Sequence, residues 1–377
     1  MKKSLLLLFL FLGFAKLISA QENPNWTQVQ AKMDSLVSHG VPGVSFGVKT
    51  KNLEWYQTAG LSKLETSKSM EPFQLHYLQS ISKTYLATAV LLLAESGQID
   101  LDQAVAKYLP ASTAQLVDQS DKMTVRMLMN HTSGIPEYNY LPEYLTMLLQ
   151  VENNPFEPID YIRYLEGKKV NWEPGTRYSY RNSGFVLLAL MVDHVTGDHA
   201  QFIQEKILDP LDLKCTFYRN TLNYLENPRL VDAYWDRYSN GKIENVNTLQ
   251  KNNVKAMVGD DGLITDSKDG LKFLEALLSG KIIQESSLAQ MKTWVNDRNG
   301  NPTYGLGLDK SEIAGREAWG HSGGGLGAGV QLYYFPEYEA YIFMAINLGT
   351  VTSGPIHDVA EPIVESIYQE VFKVVKK

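Results

Sequence analysis

Two short stretches of this chain present a serine in a setting where its hydroxyl could attack a carbonyl carbon. The first is Ser80-Ile81-Ser82-Lys83, at the head of an apolar run that stops at Gly97. If the run is helical, residues three apart share a face, and the Lys83 amine approaches the Ser80 hydroxyl. The start of a helix also offers free N–H groups and the positive end of its dipole to an oxyanion. A lysine held in an apolar, cation-rich pocket gives up its proton more readily and can serve as a base. Ser82, next to the lysine in sequence, points elsewhere on the helix. The ordinary alternative is that Ser80 caps a helix and Lys83 decorates it.

The second stretch, Gly320-His321-Ser322-Gly323-Gly324, matches the G-x-S-x-G elbow literally. That elbow needs a helix directly after the serine, then an acid and a histidine well downstream. Here Gly324 to Gly329 leads into strand-like Val330–Phe335, and His357 is the single histidine that follows. The context opposes the match.

Other chemistries find little support. No H-E-x-x-H pair occurs among the seven histidines, and no Gly-rich phosphate or dinucleotide loop precedes a helix, so neither a metal nor a cofactor is expected. His194 and His199 flank a glycine stop and read as exposed helix-end residues. Lone Cys215 has no partner for an internal disulfide. Lys and Arg total 35 against 42 Asp and Glu, a net charge of −7 that disfavours nucleic acid as a partner. With 44% hydrophobic and 20% charged residues, the chain is of ordinary globular composition. Asn25-Trp26-Thr27 and Asn130-His131-Thr132 match the glycosylation pattern and are taken as chance.

The elements that must hold these residues follow from periodicity. Lys2 and Lys3, the apolar run Leu5–Ala15 and the small residues before Gln21 read as a signal peptide over 1–20, cleaved after Ala20. The mature protein is then periplasmic or secreted, with no membrane span. Val44–Thr50 and Leu53–Ala59 read as a hairpin around Lys51-Asn52. Helical patterns follow over Ser80–Ser96, Ser183–Thr196 and Ser267–Ser279, each stopped by a glycine. Strands return at Thr303–Leu308, Arg316–Trp319, Gly329–Phe335 and Ala340–Asn347, before a last helix over Asp358–Val375. Strands at both ends with helices between give an α+β layout. A sheet domain comes from 21–79 and 255–377, with a mainly helical insertion over 80–254.

Taken in order, Ser80–Thr84, Thr124–Pro136, Pro174–Gly184, Gly259–Asp269 and Gly320–Gly323 resemble the serine β-lactamase-like family of class C β-lactamases, D-aminopeptidases, alkaline D-peptidases and related esterases. The resemblance spans nearly the whole mature chain. It implies a mixed α/β domain with an antiparallel sheet, a helical domain, and a site in the crevice between them. It further implies Ser80 as the acylated nucleophile, with Lys83 taking its proton or keeping the network polarised. Tyr180 of Tyr180-Arg181-Asn182 becomes the partner base, as phenolate or through a shared proton. Asn182 would hold Lys83 and the substrate amide. The third motif falls on His321-Ser322-Gly323, with His321 lining the crevice wall and Gly323 and Gly324 in the substrate site. Backbone N–H groups of Ser80 and Gly324 would form the oxyanion hole. His131–Gly134 is a structural turn in this family.

Two departures stand out. Arg181 replaces a small residue, and either points away or adds positive charge near the leaving group. His321 replaces the lysine that lactamases use for the drug's carboxylate. An imidazole of ordinary pKa there would read a carboxylate in a pH-dependent way through roughly 6 to 8. The expected activity is that of an exported serine hydrolase cleaving an amide or ester bond of a small-molecule or peptide substrate, D-peptidase or esterase-like, with a class C-like lactamase or penicillin-binding carboxypeptidase as the alternative. A catalytically silent binding protein of the same fold is the second alternative.

Overall fold

Apolar residues at every second position, Val44, Phe46 and Val48, place one edge of the hairpin against a core. In the computed structural model, which describes residues 24–150 and 156–375, they lie on strand β1 (Gly43–Lys49). β1 pairs antiparallel with β2 (Glu54–Lys63), Lys49 opposite Glu54 and Val44 opposite Ala59. β2 thus runs past Ala59, its expected end. The expected signal peptide at 1–20 lies outside the described residues.

Seven further strands complete the sheet: β3 (Lys68–Ser69), β4 (Val295–Asn296), β5 (Pro302–Tyr304), β6 (Asp309–Ile313), β7 (Arg316–Gly324), β8 (Gly329–Phe335) and β9 (Ala340–Ile346). Their order is β3-β2-β1-β9-β8-β7-β6-β5-β4, and every neighbouring pair is antiparallel. The β1–β9 seam, with Val44 opposite Ile346, joins the two ends of the chain into one sheet. The fold is therefore the α+β layout expected from the sequence, with one antiparallel sheet built from both ends of the chain.

The helices that matter for the site are α1 (Pro24–Ser38), α2 (Ser82–Glu95), α3 (Asn182–Thr196), α4 (Ser267–Leu278) and α5 (Pro355–Val374). Strand alternation splits the core across the sheet. Val44, Phe46, Ile342 and Met344 join Val29 and Met33 of α1 and Val371 of α5 on one face. Val330, Leu332, Phe343 and Ala345 join Leu271 of α4 and the apolar sides of α2 and α3 on the other. Each fully buried side chain of this kind contributes about 1.5–3 kcal/mol. The buried residues of α2, the helix that carries Lys83, belong to the second of these clusters.

Three local expectations change. The stretch expected as one helix from Ser80 begins with a 3-10 turn over Gln79–Ile81, and α2 starts at Ser82. The strand expected over Thr303–Leu308 ends at Tyr304, because the chain then bends so that the Gly307 carbonyl accepts from Thr84 Oγ1 of α2 at 2.8 Å, and the next strand starts only at Asp309. His199, expected at an exposed helix end, is buried, with both ring nitrogens bonded to Asp193 and Tyr218. Among the described residues, no helix is long and apolar enough to cross a membrane.

Candidate active site

The chain on either side of Ser80 is tied to one distant segment, Gly259–Leu263. Leu78 N–H donates to the Leu263 carbonyl at 3.0 Å, and Leu263 N–H donates to Ser82 Oγ at 3.3 Å. Between these ties Gln79 takes φ +48°, a left-handed setting that costs a non-glycine residue on the order of 1–2 kcal/mol. The turn leaves Ser80 half-buried, whereas Gln79, Ile81, Ser82 and Lys83 are all buried.

Lys83 is 0% exposed, and its Nζ donates to Ser80 Oγ at 2.8 Å and to the Asp260 carbonyl at 2.9 Å. The Tyr180 ring lies 5.1 Å away and the Phe185 ring 5.8 Å. Burial pushes the Lys83 amine down to about 8, opposed by the carboxyls of Asp260, Asp261 and Glu137. Those acids are buried in turn, and burial brings Asp261 and Glu137 up to about 7 and raises Asp260. Lys83 bonds Ser80 and Asp260 rather than Asn182, so the grip expected from Asn182 is not made.

Asn182 is instead the first residue of α3. Its backbone N–H donates to a Glu137 carboxylate oxygen, and Ser183 Oγ donates to the other at 3.3 Å. An acid from another segment thus caps the start of α3.

The Tyr180 hydroxyl lies near Ser80. Burial holds that hydroxyl well above its usual pKa, with Ser80 working against it, so it keeps its proton at neutral pH. Of the two states left open for Tyr180, the resting phenolate is the one that does not fit. Two backbone bonds bracket this tyrosine, and both go to His131. Ser179 N–H donates to the His131 carbonyl at 2.9 Å, and Arg181 N–H donates to His131 Nδ1 at 3.2 Å. The His131 ring also packs 4.3 Å from Tyr180 and 4.5 Å from Tyr304. The turn at 131–134, set aside as structural, therefore aims a site residue. Arg181 donates to its neighbour's carbonyl, Tyr180 O, and stacks 5.1 Å from Trp172.

His321 departs most from expectation. It is 4% exposed, and both ring nitrogens are taken. Nδ1 meets the Ser322 carbonyl at 2.5 Å, which can only accept, so Nδ1 carries the proton and Nε2 accepts from the Tyr304 hydroxyl at 2.8 Å. Burial, with Lys83 adding to it, pushes the imidazole down to about 3. It is neutral throughout the range in which it was expected to read a carboxylate.

Beyond His321, β7 runs tightly over the nucleophile turn. A Cβ at Gly323 would fall 2.4 Å from the Leu78 carbonyl oxygen, so only glycine lets the strand pass. Gly324 ends the strand beside it. Ser322 alternates to the face away from His321 and Gly323, pairs with Gln331 of β8, and lines a cavity with Gln331, Thr350 and Val364 that Gly323 and Gly324 also border. His357, the downstream histidine of the rival motif, meets the Gly349 carbonyl at 2.8 Å. The structure brings together Ser80, Lys83, Tyr180, Gly323 and His321, and separates Ser322 from them.

Sequence reasoning missed His131, Tyr304, Glu137 and the two aspartates. A signal existed for Asp260 and Asp261, since a pair of acids between Gly259 and Gly262 in apolar surroundings is unusual.

A family model described as Beta-lactamase matches residues 27–360. Penicillin-binding protein 4* of Bacillus subtilis (strain 168) is 25% identical over 327 residues, covering 82% of this chain and 68% of that protein. Protein flp of Staphylococcus aureus (strain MW2) is 28% identical over 203 residues, 52% of this chain and 39% of that one, so this match spans well under half of that relative's length. Among solved structures, a D-stereospecific amidohydrolase from Streptomyces sp. has a TM-score of 0.74 at 28% identity, covering 89% of this chain and 98% of that one. The D-amino acid amidase of Ochrobactrum anthropi SV3, complexed with L-phenylalanine amide, has a TM-score of 0.80 at 21% identity, covering 93% and 99%; this likeness is one of fold.

Proposed function

The chain belongs to the beta-lactamase family, and we propose that it is an exported serine hydrolase that cleaves an amide or ester bond through an acyl-enzyme on Ser80. The observation that carries this reading is the 2.8 Å bond between Lys83 Nζ and Ser80 Oγ. The amine, brought down to about 8, is partly neutral near pH 7. It takes the hydroxyl proton as Oγ bonds to the substrate's carbonyl carbon. The ammonium so formed lies in the field of Asp260, Asp261 and Glu137, all of which favour it.

The negative charge on the former carbonyl oxygen is received by the N–H groups of Ser80 and Gly324. Collapse breaks the carbon–nitrogen or carbon–oxygen bond. The neutral Tyr180 hydroxyl passes its proton to the leaving group and regains one from Lys83. A water molecule then attacks the ester carbon, gives its proton to the Lys83–Tyr180 pair, and Oγ leaves with a proton returned. Asn182, His321 and Gly323 line the substrate's place.

The neutral His321 wall favours a D-peptidase or esterase over a lactamase, because no permanent cation waits there for a drug carboxylate. The likeness to the 28%-identical D-stereospecific amidohydrolase from Streptomyces sp. supports the same direction. Residues 1–20 are the leader in this reading, and protein recovered outside the cytoplasm then begins at Gln21 by mass.

A panel of D- and L-amino acid amides, p-nitrophenyl esters and nitrocefin, run on wild type and Ser80→Ala, tests the assignment. An amide or ester that outpaces nitrocefin and is inert with Ser80→Ala is the expected result. Nitrocefin as the best substrate would favour a class C-like lactamase or penicillin-binding carboxypeptidase. No turnover in any class would leave a binding protein of the same fold.

A further inference from the structure

The segment Gly259–Leu263 holds Lys83 through the Asp260 carbonyl and holds the nucleophile turn through Leu263. Something must fix that segment in turn, because its glycines give it backbone freedom that the site cannot tolerate. Gly259 has φ +74° and Gly262 φ +114°, conformations that side-chain-bearing residues rarely adopt.

The fixing group is the Tyr218 side chain. Gly259 N–H donates to the Tyr218 hydroxyl oxygen at 3.0 Å. The same ring fills the space beside Gly262, where a Cβ would fall 2.5 Å from Tyr218 Cε2. One tyrosine therefore grips both ends of the turn that presents the Asp260 carbonyl.

Tyr218 is itself held by a chain of bonds leading away from the site. Its hydroxyl meets His199 Nε2 at 2.9 Å, and His199 Nδ1 meets Asp193 Oδ1 at 2.6 Å. The His199 backbone N–H reaches the same carboxylate oxygen at 2.7 Å. Burial alone would raise the Asp193 carboxyl, but its hydrogen bonds from His199 outweigh that and hold it below the usual range. An ionised carboxylate can only accept, so the ring proton sits on Nδ1 and Nε2 accepts from Tyr218 O–H. The tyrosine's lone pair is then free for Gly259. Every donor in the chain points toward Asp193, the arrangement in which successive hydrogen bonds strengthen one another. Tyr218 is 1% exposed and His199 2%, so water does not compete for these bonds.

We infer that Asp193, His199 and Tyr218 are positioning residues for acylation, holding the Asp260 carbonyl on Lys83 and so aiming the amine at Ser80. This rests on the reading of Ser80 and Lys83 as nucleophile and base. None of the three touches substrate; they act through the Gly259–Asp260 backbone. The effect is of mechanical register, where a misplacement of about an ångström costs on the order of 100-fold in rate.

The test is Tyr218→Phe in the full-length protein, which removes the hydroxyl and keeps the ring against Gly262. The control is Tyr368→Phe, another buried tyrosine, whose hydroxyl meets Gln331 Oε1 at 2.7 Å on the far face of the sheet. Asp193→Asn, at a partly exposed position, is the second variant should Tyr218→Phe fold poorly. The readouts are the burst rate with p-nitrophenyl acetate, KM, the pH midpoint of the burst, thermal midpoint, and the mass of a fluorophosphonate adduct.

With Tyr218→Phe the burst slows about tenfold or more while KM stays within about twofold. The pH midpoint moves down, because a fixed carbonyl acceptor favours the ammonium and its loss favours the free amine. Asp260, Asp261, Glu137, His131, Tyr180 and His321 also face that amine and are unaltered in the variant. Asp193→Asn moves burst rate and pH midpoint the same way by less, and Tyr368→Phe changes only the thermal midpoint. The inference is overturned if both Tyr218→Phe and Asp193→Asn behave like Tyr368→Phe, less stable but with wild-type burst and pH midpoint. In that case wild type still carries its adduct on Ser80; a wild type with no adduct there overturns the functional reading itself, and this inference with it.

Discussion

Ser80 and Ser322 are two serines in motifs that each spell a nucleophile, and the fold treats them in opposite ways. Ser80 sits on a 3-10 turn with a buried amine 2.8 Å from its hydroxyl. Ser322 sits in mid-strand, and its neighbours His321 and Gly323 face the other side of β7. The strand that carries Ser322 still serves the site, but with its backbone and the bare face of Gly323. A hydroxyl becomes reactive through what its element brings within bonding distance, and a strand brings a base only from another strand or helix. His357 does not serve Ser322 as a bonded base: its Nε2 meets the Gly349 carbonyl instead.

The largest expected effect breaks the contrast outright. Lys83→Ala, by removing the base, lowers kcat/KM for the best ester or amide by about 10³-fold or more, read by steady-state kinetics on folded protein. Retention of more than about a tenth of the rate would mean that Ser80 is not activated from this side.

Next comes pH. The neutral amine is the active form, and burial sets its midpoint at about 8, so acylation should rise with pH up to that point and level off above it. Between pH 6 and 9 the gain is roughly 100-fold for a single controlling group. Asp261 and Glu137, brought up to about 7 by burial, ionise within the same interval, so the rise belongs to the cluster rather than to Lys83 alone. A profile flat from 6 to 9 would contradict a lysine base.

A smaller effect sharpens the Ser80 side. His131→Ala removes both the acceptor for Arg181 N–H and the ring packed on Tyr180, and should cost about tenfold in kcat. His131→Asn should recover part of it, because asparagine tolerates φ near +61° and keeps an acceptor. Equal losses in the two variants would assign His131 to packing alone.

The smallest effects lie on β7. Ser322→Ala should change kcat/KM by less than about twofold. The preference for a carboxylate substrate over its neutral ester should stay level from pH 5 to 9, because His321 is neutral throughout. A preference falling through pH 6 to 8 would show an accessible, titrating imidazole.

Local pattern carried much of this fold into view. The hairpin at Lys51-Asn52, the helix ending at Thr196 and the strands at Gly329–Phe335 and Ala340–Ile346 rest on alternation and glycine stops, which are short-range signals. β7 was read only as far as Trp319, since Gly320, Gly323 and Gly324 look like loop residues until the close pass over Leu78 accounts for Gly323. Ser80 and Lys83 are legible as a spacing and Tyr180 through the resemblance to the family, and the structure brings Lys83 to both. Asp260, Glu137 and His131 act on the site through contacts across dozens to well over a hundred residues, for which a single sequence holds no periodic trace. The burial of His321 was hidden for the same reason, because the Tyr304 hydroxyl that claims its Nε2 comes from a separate strand.

The most direct measurement is the mass and mapped position of the adduct formed with a fluorophosphonate. One adduct per chain is expected on Ser80 in wild type and in Ser322→Ala, none in Ser80→Ala, and sharply slowed labelling in Lys83→Ala. An adduct mapped to Ser322, or one that persists at wild-type rate in Ser80→Ala, would contradict it.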